Sequence, residues 1–263
     1  MKLISLNLWG GKVFMPLIDF IKQSSSNTDI FCLQEVFNTK SDIKEYRGYR
    51  TNMLYELQLI LPDFVVFYFP TISGFDIEDP PSKTDFDLEY GSAIFVKNNI
   101  KITSHGNILI FKDSSYPPLK LDFSNNPTPL QYITFNISGK DFAVFSFHGT
   151  SFPGNKLDTK RRLNEAKNVK EIVKSTNGAK ILVGDFNLLP QTESIKIQEQ
   201  NMRNLIKEFN ITKTRSDLSP FFGKVEFQKF ADYTFVSDDI KVESFQVPDI
   251  EVSDHLPMIL EFS

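Results

Sequence analysis

The chain alternates between short apolar runs and amphipathic segments, which is the pattern of strands and helices in an α/β protein. The first apolar run covers residues 3–8, and Pro16 opens a segment whose apolar side chains recur at helical spacing. A second apolar run, residues 29–33, follows directly. This order predicts a strand–helix–strand unit whose two strands lie in one sheet with both carboxyl ends at the same edge.

A second strand–helix–strand pattern stands later in the chain. Residues 131–138 and 141–147 predict a β-hairpin, and a charged helix that begins at Asp158 leads into the apolar run 181–183 before Asp185. By the same rule, the strands before and after this helix end at a common edge. Two such units favour the α/β fold class.

The rest of the pattern adds strands, short helices and two long loops. Residues 194–200 and 203–209 predict short helices. Further strands are predicted at residues 64–69, 89–96, 100–110, 230–236, 240–245 and 258–262. Segments 73–87 and 112–129 are loops of a length that usually carries function, and we expect them to shape substrate access. No repeat or linker divides the chain, which predicts a single domain over residues 1–263.

Polar side chains of the kinds that bind metals or phosphate stand at the ends of these strands. The set comprises Asn7, Glu35, His148, Asp185, Asn187, Asp232, Asp254 and His255. Shared strand edges predict that Asn7 meets Glu35, and likewise that His148 meets Asp185. Asp185 and Asn187 would also leave the strand side by side, because residues two apart in an extended chain share a face. Each residue alone fits a turn or a strand cap, whereas their joint occurrence predicts an active site.

The available donor atoms limit the metal that such a site would hold. One cysteine, Cys32, excludes an internal disulfide and a multi-cysteine zinc site. Hard oxygen ligands without thiolates suit magnesium, manganese or calcium. A divalent cation held by Glu35, with Asn7 or an aspartate, would bind a phosphoryl oxygen, and an aspartate such as Asp185 would orient or deprotonate a water. A histidine with a carboxylate partner would bind phosphate or transfer a proton.

The charge balance gives no general attraction for nucleic acid. The formal net charge is −4 and the pI is about 5.5, so a local site would have to hold such a substrate. Candidate phosphate contacts are Lys156, Lys160, Arg161, Arg162 and Arg215. On a charged helix face we expect solvation for most of them. No apolar run reaches the length of a membrane span, and the first residues lack a signal-peptide pattern. We therefore expect a cytoplasmic protein. No protein partner is evident from the sequence, and we predict a monomer.

Six short motifs carry a resemblance to a known family. They are Leu6-Asn7-Leu8-Trp9, Leu33-Gln34-Glu35-Val36, Phe147-His148-Gly149, Gly184-Asp185-Phe186-Asn187, Ala231-Asp232-Tyr233-Thr234-Phe235-Val236 and Ser253-Asp254-His255-Leu256-Pro257. Their types and order resemble the endonuclease/exonuclease/phosphatase (DNase I-like) superfamily, which includes nucleases, inositol-polyphosphate phosphatases and neutral sphingomyelinases. The motifs run from residue 7 to residue 257, so the resemblance covers essentially the whole chain.

The resemblance implies a fold and a metal site. The fold would be a four-layer α/β sandwich, in which two mixed sheets pack face to face with helices outside and the site at one end. Glu35 would be the principal ligand of Mg²⁺, with Mn²⁺ as an alternative. Asn7 and Asp254 would lie close to the metal. Asp185 would position or activate the attacking water.

The resemblance also implies contacts to the substrate. Asn187 would hydrogen-bond the phosphate in the transition state. His255 would contact the scissile phosphate, with Asp232 orienting the ring. His148 would lie on the other side of the phosphate, and Glu89 matches the carboxylate that supports this histidine in DNase I-like members. Arg215 is a further candidate for substrate binding.

Several features narrow the predicted substrate. No arginine follows Glu35 of the kind that DNase I-like members insert into the minor groove, and the net acidity argues against a non-specific DNase. We predict a magnesium-dependent phosphoesterase that hydrolyses a phosphodiester in a nucleic acid or nucleotide. The alternatives are a phosphomonoesterase, a lipid phosphodiesterase similar to sphingomyelinases, because of Leu8-Trp9-Gly10-Gly11 and His148, and a non-catalytic binding module.

Overall fold

A computed structural model describes residues 1–79, 82–111 and 126–263. In chain order the strands are β1 (Lys2–Asn7), β2 (Ile30–Asn38), β3 (Glu45–Tyr46), β4 (Tyr49–Arg50), β5 (Phe64–Ser73), β6 (Glu89–Lys97), β7 (Ile102–Phe111), β8 (Thr128–Ile137), β9 (Lys140–His148), β10 (Ala179–Asp185), β11 (Arg203–Asn204), β12 (Asp232–Val236), β13 (Val242–Gln246) and β14 (Met258–Phe262). The α-helices are α1 (Phe14–Ser24), α2 (Met53–Ile60), α3 (Lys160–Ser175), α4 (Glu193–Glu199) and α5 (Leu205–Glu208). None of these helices is long and apolar enough to span a membrane.

Two six-stranded sheets hold most of these strands. The first sheet has the order β13-β14-β1-β2-β6-β5, and the second sheet has the order β11-β12-β10-β9-β8-β7. Strands β1 and β2 run parallel in the first sheet, and β9 and β10 run parallel in the second, with Asp185 opposite His148. The other neighbours in each sheet are antiparallel, so both sheets are mixed. Both predicted strand–helix–strand units are confirmed.

The two sheets pack face to face with helices on the outside. One apolar cluster joins side chains of both sheets, such as Ile94 and Met258 of the first and Ile133 and Phe145 of the second. A second cluster packs α1 and α2 against the first sheet, and α3 and α4 pack beside the second. A polar contact also crosses between the sheets, because Gln34 Nε2 donates to Ser146 Oγ at 3.0 Å. The predicted four-layer α/β sandwich is confirmed.

Local structure departs from the prediction in segment 203–209. The structure has the two-residue strand β11 before the short helix α5. Arg203 and Asn204 pair with Val236 and Phe235 at the edge of the second sheet, and this pairing overrides the helical pattern of the sequence. The Asn204 side chain then caps α5 by accepting from the backbone N–H of Ile206 at 3.1 Å.

The two predicted loops differ in how much of them the structure describes. Residues 112–125 and 80–81 lie outside the described residues, and β8 already begins at Thr128. The segment after β5 is held by its acidic side chains. The Asp76 carboxylate accepts from Tyr46 Oη at 2.9 Å and forms an ion pair with Arg47 at 2.8 Å. This part of the first loop is therefore anchored on the β3–β4 hairpin.

Candidate active site

The ends of the two parallel strand pairs meet at one end of the sandwich. Asn7 closes β1, and its amide Nδ2 donates to Glu35 Oε1 at 3.1 Å and to Asp185 Oδ2 at 3.0 Å. Its amide oxygen accepts from the backbone N–H of Trp9 at 2.9 Å, which fixes the orientation of the amide. Asn7 and Glu35 belong to the first sheet and Asp185 to the second. One buried amide thus joins the two sheets at the site.

A β-bulge aims Glu35 at the site. Between Leu33 and Val36, β2 holds an extra residue relative to its partner β6, and Glu35 has a left-handed φ of 57°. Bulges turn a side chain away from the regular alternation of a strand and are common beside active sites. Glu35 is 22% exposed although its neighbours on β2, Gln34 and Val36, are buried, so its carboxylate faces the cavity that it lines.

The turn after β10 brings Asp185 and Asn187 together. The sequence predicts that the two side chains share a face because the chain between them is extended. Instead, β10 ends at Asp185, and Asn187 has a left-handed φ of 53°. The Asn187 backbone N–H donates to Asp185 Oδ1 at 2.8 Å, and its amide Nδ2 donates to the Gly149 carbonyl at 3.1 Å. Gly184 allows the strands to approach here, since a Cβ at this position would lie 2.0 Å from the Phe147 carbonyl oxygen.

Asp185 is the centre of the charged groups in the site. Its Oδ2 lies 3.8 Å from His148 Nε2 and 3.7 Å from His255 Nε2. Burial by itself would raise the pKa of this carboxyl group, but the charges of His255, Lys156, His148 and Arg215 outweigh burial and lower it to about 2. Asp185 is therefore an anion at neutral pH, and its oxygens are hydrogen-bond acceptors.

A row of buried polar groups runs from Asp232 to Asp254. His255 Nδ1 lies 2.8 Å from Asp232 Oδ2, and His255 Nε2 lies 2.9 Å from Arg215 Nη1. Arg215 Nη2 donates to Asp254 Oδ2 at 2.6 Å. Because a guanidinium group only donates, Nε2 has to accept, so the ring proton is on Nδ1 and is donated to Asp232. The neighbours of His255 thus select one tautomer of the ring.

Burial controls the ionisation of this row. Burial, together with the charge of Arg215, lowers the pKa of His255 to about 4, so the ring is neutral at pH 7. Burial also raises the pKa of Asp254 and of Asp232, and the nearby Asp185 anion adds to the increase at Asp232. The Nε2 lone pair is occupied by the hydrogen bond from Arg215 Nη1, so this nitrogen can take up a proton only when that hydrogen bond breaks.

Lys156 is a further residue of the site, and the sequence offered it only as one of five basic residues. It is 9% exposed, lies in the segment between β9 and α3, and its Nζ donates to Asn187 Oδ1. Burial lowers the pKa of this lysine to about 8. Arg162, by contrast, is fully buried and donates to backbone carbonyls, including those of Leu157 and Pro153. Its role is to shape the segment that carries Lys156.

The shifted lysine predicts a pH-dependent difference in stability. The folded pKa of Lys156 is about 8, below the ordinary value of 10.5, so the unfolded chain binds more protons between these pH values. Relative to Lys156→Met, the wild type should therefore gain about 3 kcal/mol in free energy of unfolding as the pH rises from 8 to 10.5. Urea denaturation of both proteins across this range measures the difference. Parallel curves would show that the lysine is not deprotonated on folding.

Glu89 is the predicted residue that the structure does not bring to its partner. Its carboxylate accepts from Asn38 Nδ2 at 2.7 Å. Among the described residues, the ion pairs of His148 are with Glu35 and Asp185. Tyr90, next along the chain, faces the cavity instead and was missed by the sequence analysis. Burial and the nearby Glu35 carboxylate raise its pKa, so it is a neutral hydroxyl.

The site opens into a cavity of about 760 Å³. Its floor carries Glu35, Asp185, Asn187 and His255, and its walls include the aromatic rings of Trp9, Tyr49 and Phe221. The cavity thus combines acidic, cationic and aromatic groups around one strand-end cluster, and it has room for a small phosphorylated molecule or for the reacting part of a larger one.

The residues of the site fit a hard divalent cation. The carboxylate oxygens of Glu35 and Asp254 line the cavity and are hard ligands, which suits Mg²⁺ or Mn²⁺. Among the described residues, the ligand atoms of Asp185, Asp232 and His255 lie within 4.8 Å of one another. In that group, however, the two ring nitrogens of His255 are already engaged, Nδ1 with Asp232 and Nε2 with Arg215. The Glu35 carboxylate, which is turned into the cavity by the bulge, is the more accessible ligand.

A four-layer sandwich with acidic, amide and histidine side chains at one end defines a class of phosphoester hydrolases. The sequence profile described as the Endonuclease/Exonuclease/phosphatase family matches residues 4–255, and the chain belongs to this family. Members of the family are in general hydrolases of phosphoric esters that use a divalent metal. No curated protein sequence matches this chain significantly.

Solved structures share the fold over the whole chain. An endonuclease/exonuclease/phosphatase protein from Bacteroides vulgatus has a TM-score of 0.71 at 16% identity, covering 100% of this chain and 98% of that one. A mannosyl-6-phosphatase from Bacteroides thetaiotaomicron has a TM-score of 0.68 at 19% identity, with coverage of 100% and 99%. The human Nocturnin catalytic domain with bound sulfate has a TM-score of 0.66 at 17% identity, with coverage of 100% and 93%.

Proposed function

We propose that this protein hydrolyses a phosphodiester bond in a nucleic acid or nucleotide with the help of Mg²⁺. The proposal rests on the environment of Asp185. Its Oδ2 accepts a hydrogen bond from Asn7 Nδ2 at 3.0 Å and lies 3.7 Å from His255 Nε2 and 3.8 Å from His148 Nε2. A buried anion held among a fixed amide and two histidines is suited to orient a water and to accept its proton.

The reaction follows from the positions of these groups. Asp185 accepts a hydrogen bond from the attacking water and takes its proton as the water oxygen bonds to phosphorus. The P–O bond to the leaving group breaks, and its electrons stay on the leaving oxygen, which is protonated by a histidine or by solvent. Asn187 carries a second amide hydrogen, beyond the one donated to Gly149, for a phosphoryl oxygen. Preorganised donors of this kind stabilise the charge that develops in the transition state.

Glu35 and Asp254 would hold the cation. Asn7 was predicted to lie close to the metal, but its amide oxygen accepts from the Trp9 backbone N–H and its amide nitrogen faces Glu35, so it would support that ligand. A bound divalent ion would supply neutralisation of charge on a phosphoryl oxygen. The protein residues prepare the place for that charge. Asp254 is bound to Arg215 at 2.6 Å, and the Asn7 amide supports the Glu35 carboxylate at 3.1 Å. Replacing Glu35 by glutamine would remove the accessible anion and should lower the affinity for Mg²⁺.

A phosphomonoesterase is the second candidate. Two buried cationic side chains, Lys156 and Arg215, line the cavity and would suit the two negative charges of a terminal phosphate. The diester is preferred because a second histidine, His148, stands near Asp185 in addition to His255. The ring proton of His255 is donated to Asp232, so His148 is the histidine that can supply a proton to a leaving alcohol.

The proposal is tested by hydrolysis of matched substrates. Purified protein is assayed with bis(p-nitrophenyl) phosphate and p-nitrophenyl phosphate, followed by oligonucleotides and nucleotides. We expect release of nitrophenol from the diester that requires Mg²⁺ and stops when EDTA is added. Isothermal titration of Mg²⁺ into the wild type and into Glu35→Gln reports the cation site separately from turnover.

The outcomes separate the candidates. Monoester hydrolysis alone would assign the protein to the phosphatases and overturn the diester proposal. Mg²⁺ binding without turnover on any of these esters would favour a narrower substrate or a binding module. A wild type that binds no Mg²⁺ would remove the basis for metal-dependent hydrolysis.

A further inference from the structure

A buried ammonium group stands at the cavity wall without a carboxylate partner. Lys156 is 9% exposed, and its Nζ has the neutral amide oxygen of Asn187 as its hydrogen-bond acceptor. Among the described residues, no carboxylate lies within ion-pair distance of it, although Asp185 and Asp232 act on it from farther away. An ammonium group has three N–H donors, so two of them are not accounted for by Asn187. A buried charge in this state is costly unless an anion joins it.

The surrounding segment is built to hold the lysine in this place. Lys156 has a left-handed φ of 55°, and its carbonyl accepts from the backbone N–H of Leu189 at 3.0 Å. Arg162 ties the segment together, because its guanidinium donates to the carbonyls of Leu157 at 2.6 Å, Pro153 at 2.7 Å and Thr150 at 3.2 Å. A backbone with so many fixed contacts presents the lysine to the cavity instead of leaving it in solvent.

The lysine also sets the orientation of Asn187. Because an ammonium group cannot accept a hydrogen bond, the atom of Asn187 beside it has to be the amide oxygen. The amide nitrogen then faces the Gly149 carbonyl with one hydrogen at 3.1 Å and keeps its other hydrogen for a ligand. Lys156 and Asn187 thus present donors side by side, on residues that both line the cavity.

We propose that Lys156 binds a non-bridging oxygen of the phosphoryl group. It also holds the Asn187 side-chain amide in the orientation in which that amide binds a neighbouring oxygen. This inference rests on the proposed function, because it assigns a residue to the same phosphoryl site. It makes Lys156 a contact that strengthens as charge builds up on the phosphoryl oxygens, so it acts on kcat as well as on binding.

The test compares two substitutions with a matched control. Lys156→Met keeps the length and removes the charge, Lys156→Arg keeps the charge, and Lys167→Met removes an exposed lysine from α3. We expect Lys156→Met to lower kcat/KM by about 10²-fold, the size seen when one preorganised donor is removed. Lys156→Arg should recover part of this loss, and Lys167→Met should match the wild type.

Two further readouts separate a phosphoryl contact from a structural role. Titration calorimetry with inorganic phosphate should show weaker binding to Lys156→Met than to the wild type and to Lys167→Met. The thermal midpoint of Lys156→Met should equal or exceed that of the wild type, because an uncompensated buried charge has been removed. Full activity and unchanged phosphate affinity in Lys156→Met would overturn the proposal. A lower midpoint with unchanged phosphate affinity would make the lysine structural and overturn it as well.

Failure of the proposed function would look different. A wild type that hydrolyses no ester, yet binds phosphate in a manner that depends on Lys156, would retain the anion site and remove the hydrolase. If the wild type hydrolyses esters and Lys156→Met does so at the same rate, the proposed function stands and the role of Lys156 is overturned.

Discussion

Replacing Asp185 by asparagine should lower kcat by about 10³-fold, the middle of the range for a group that transfers a proton in the transition state. Asparagine has nearly the same shape but cannot accept the proton of the attacking water. It also weakens the contacts made by Oδ2, which accepts from Asn7 at 3.0 Å and lies near both imidazoles. The measurement is the rate of Mg²⁺-dependent hydrolysis on the ester that the wild type cleaves best.

The control for this variant lies at the other end of the second sheet. Asp141→Asn changes an exposed carboxylate on β9, the strand paired with β10, and should leave the rate unchanged. Circular dichroism should show both variants folded, because the Asp185 side chain contacts polar groups of the site instead of the apolar core. If Asp185→Asn kept more than about a tenth of the activity, a proton-transfer role for this residue would be excluded.

His255→Gln is the second substitution with a large expected effect. The variant should lower kcat by about 10²- to 10³-fold, since it removes the Nε2 atom that stands 3.7 Å from Asp185 Oδ2 and 2.9 Å from Arg215. Asp232→Asn should cause a smaller loss, because the ring stays in place while its Nδ1–H exchanges a carboxyl acceptor for an amide oxygen. Rates are measured under the conditions used for Asp185→Asn.

The third histidine of the chain serves as the matched control for His255. His105 is exposed on β7 and its ring lies against Phe67, with 4.4 Å between ring centroids. His105→Gln should retain the wild-type rate. Equal rates for His255→Gln and the wild type would assign the buried Asp232–His255 pair to stability alone and remove it from the mechanism.

Much of the fold was predictable because two local patterns carried topological information. Each amphipathic helix between two apolar runs favours a parallel pair of flanking strands, and this rule places Asn7 beside Glu35 and His148 beside Asp185. The four-layer arrangement was predicted from the resemblance of the six motifs, in their order, to a known family. The helix predicted over residues 203–209 is wrong at its first two residues, because edge pairing with β12 makes them a strand, and such pairing leaves no signal in a local window.

The parts of the site that sequence reasoning could not supply depend on distant contacts. The bulge at Glu35 appears only from the register between β2 and β6. Lys156 looked like one charge on a solvated face, and its burial follows from a segment shaped by Arg162. The tautomer of His255 depends on Arg215, forty positions away in the chain. Each of these facts concerns where two segments meet in space.

The order of strands in the first sheet has a consequence for protein synthesis. Strand β14 lies beside β1, and Asp254 and His255 stand shortly before it, so the ribosome makes these site residues after all described strands of the second sheet. Synthesis runs from the amino terminus, and a domain folds as a unit. The candidate site therefore lacks two of its groups until residues 254 and 255 have been made, and β1 still lacks its neighbour β14 at that point. We expect the site and the first sheet to be completed together.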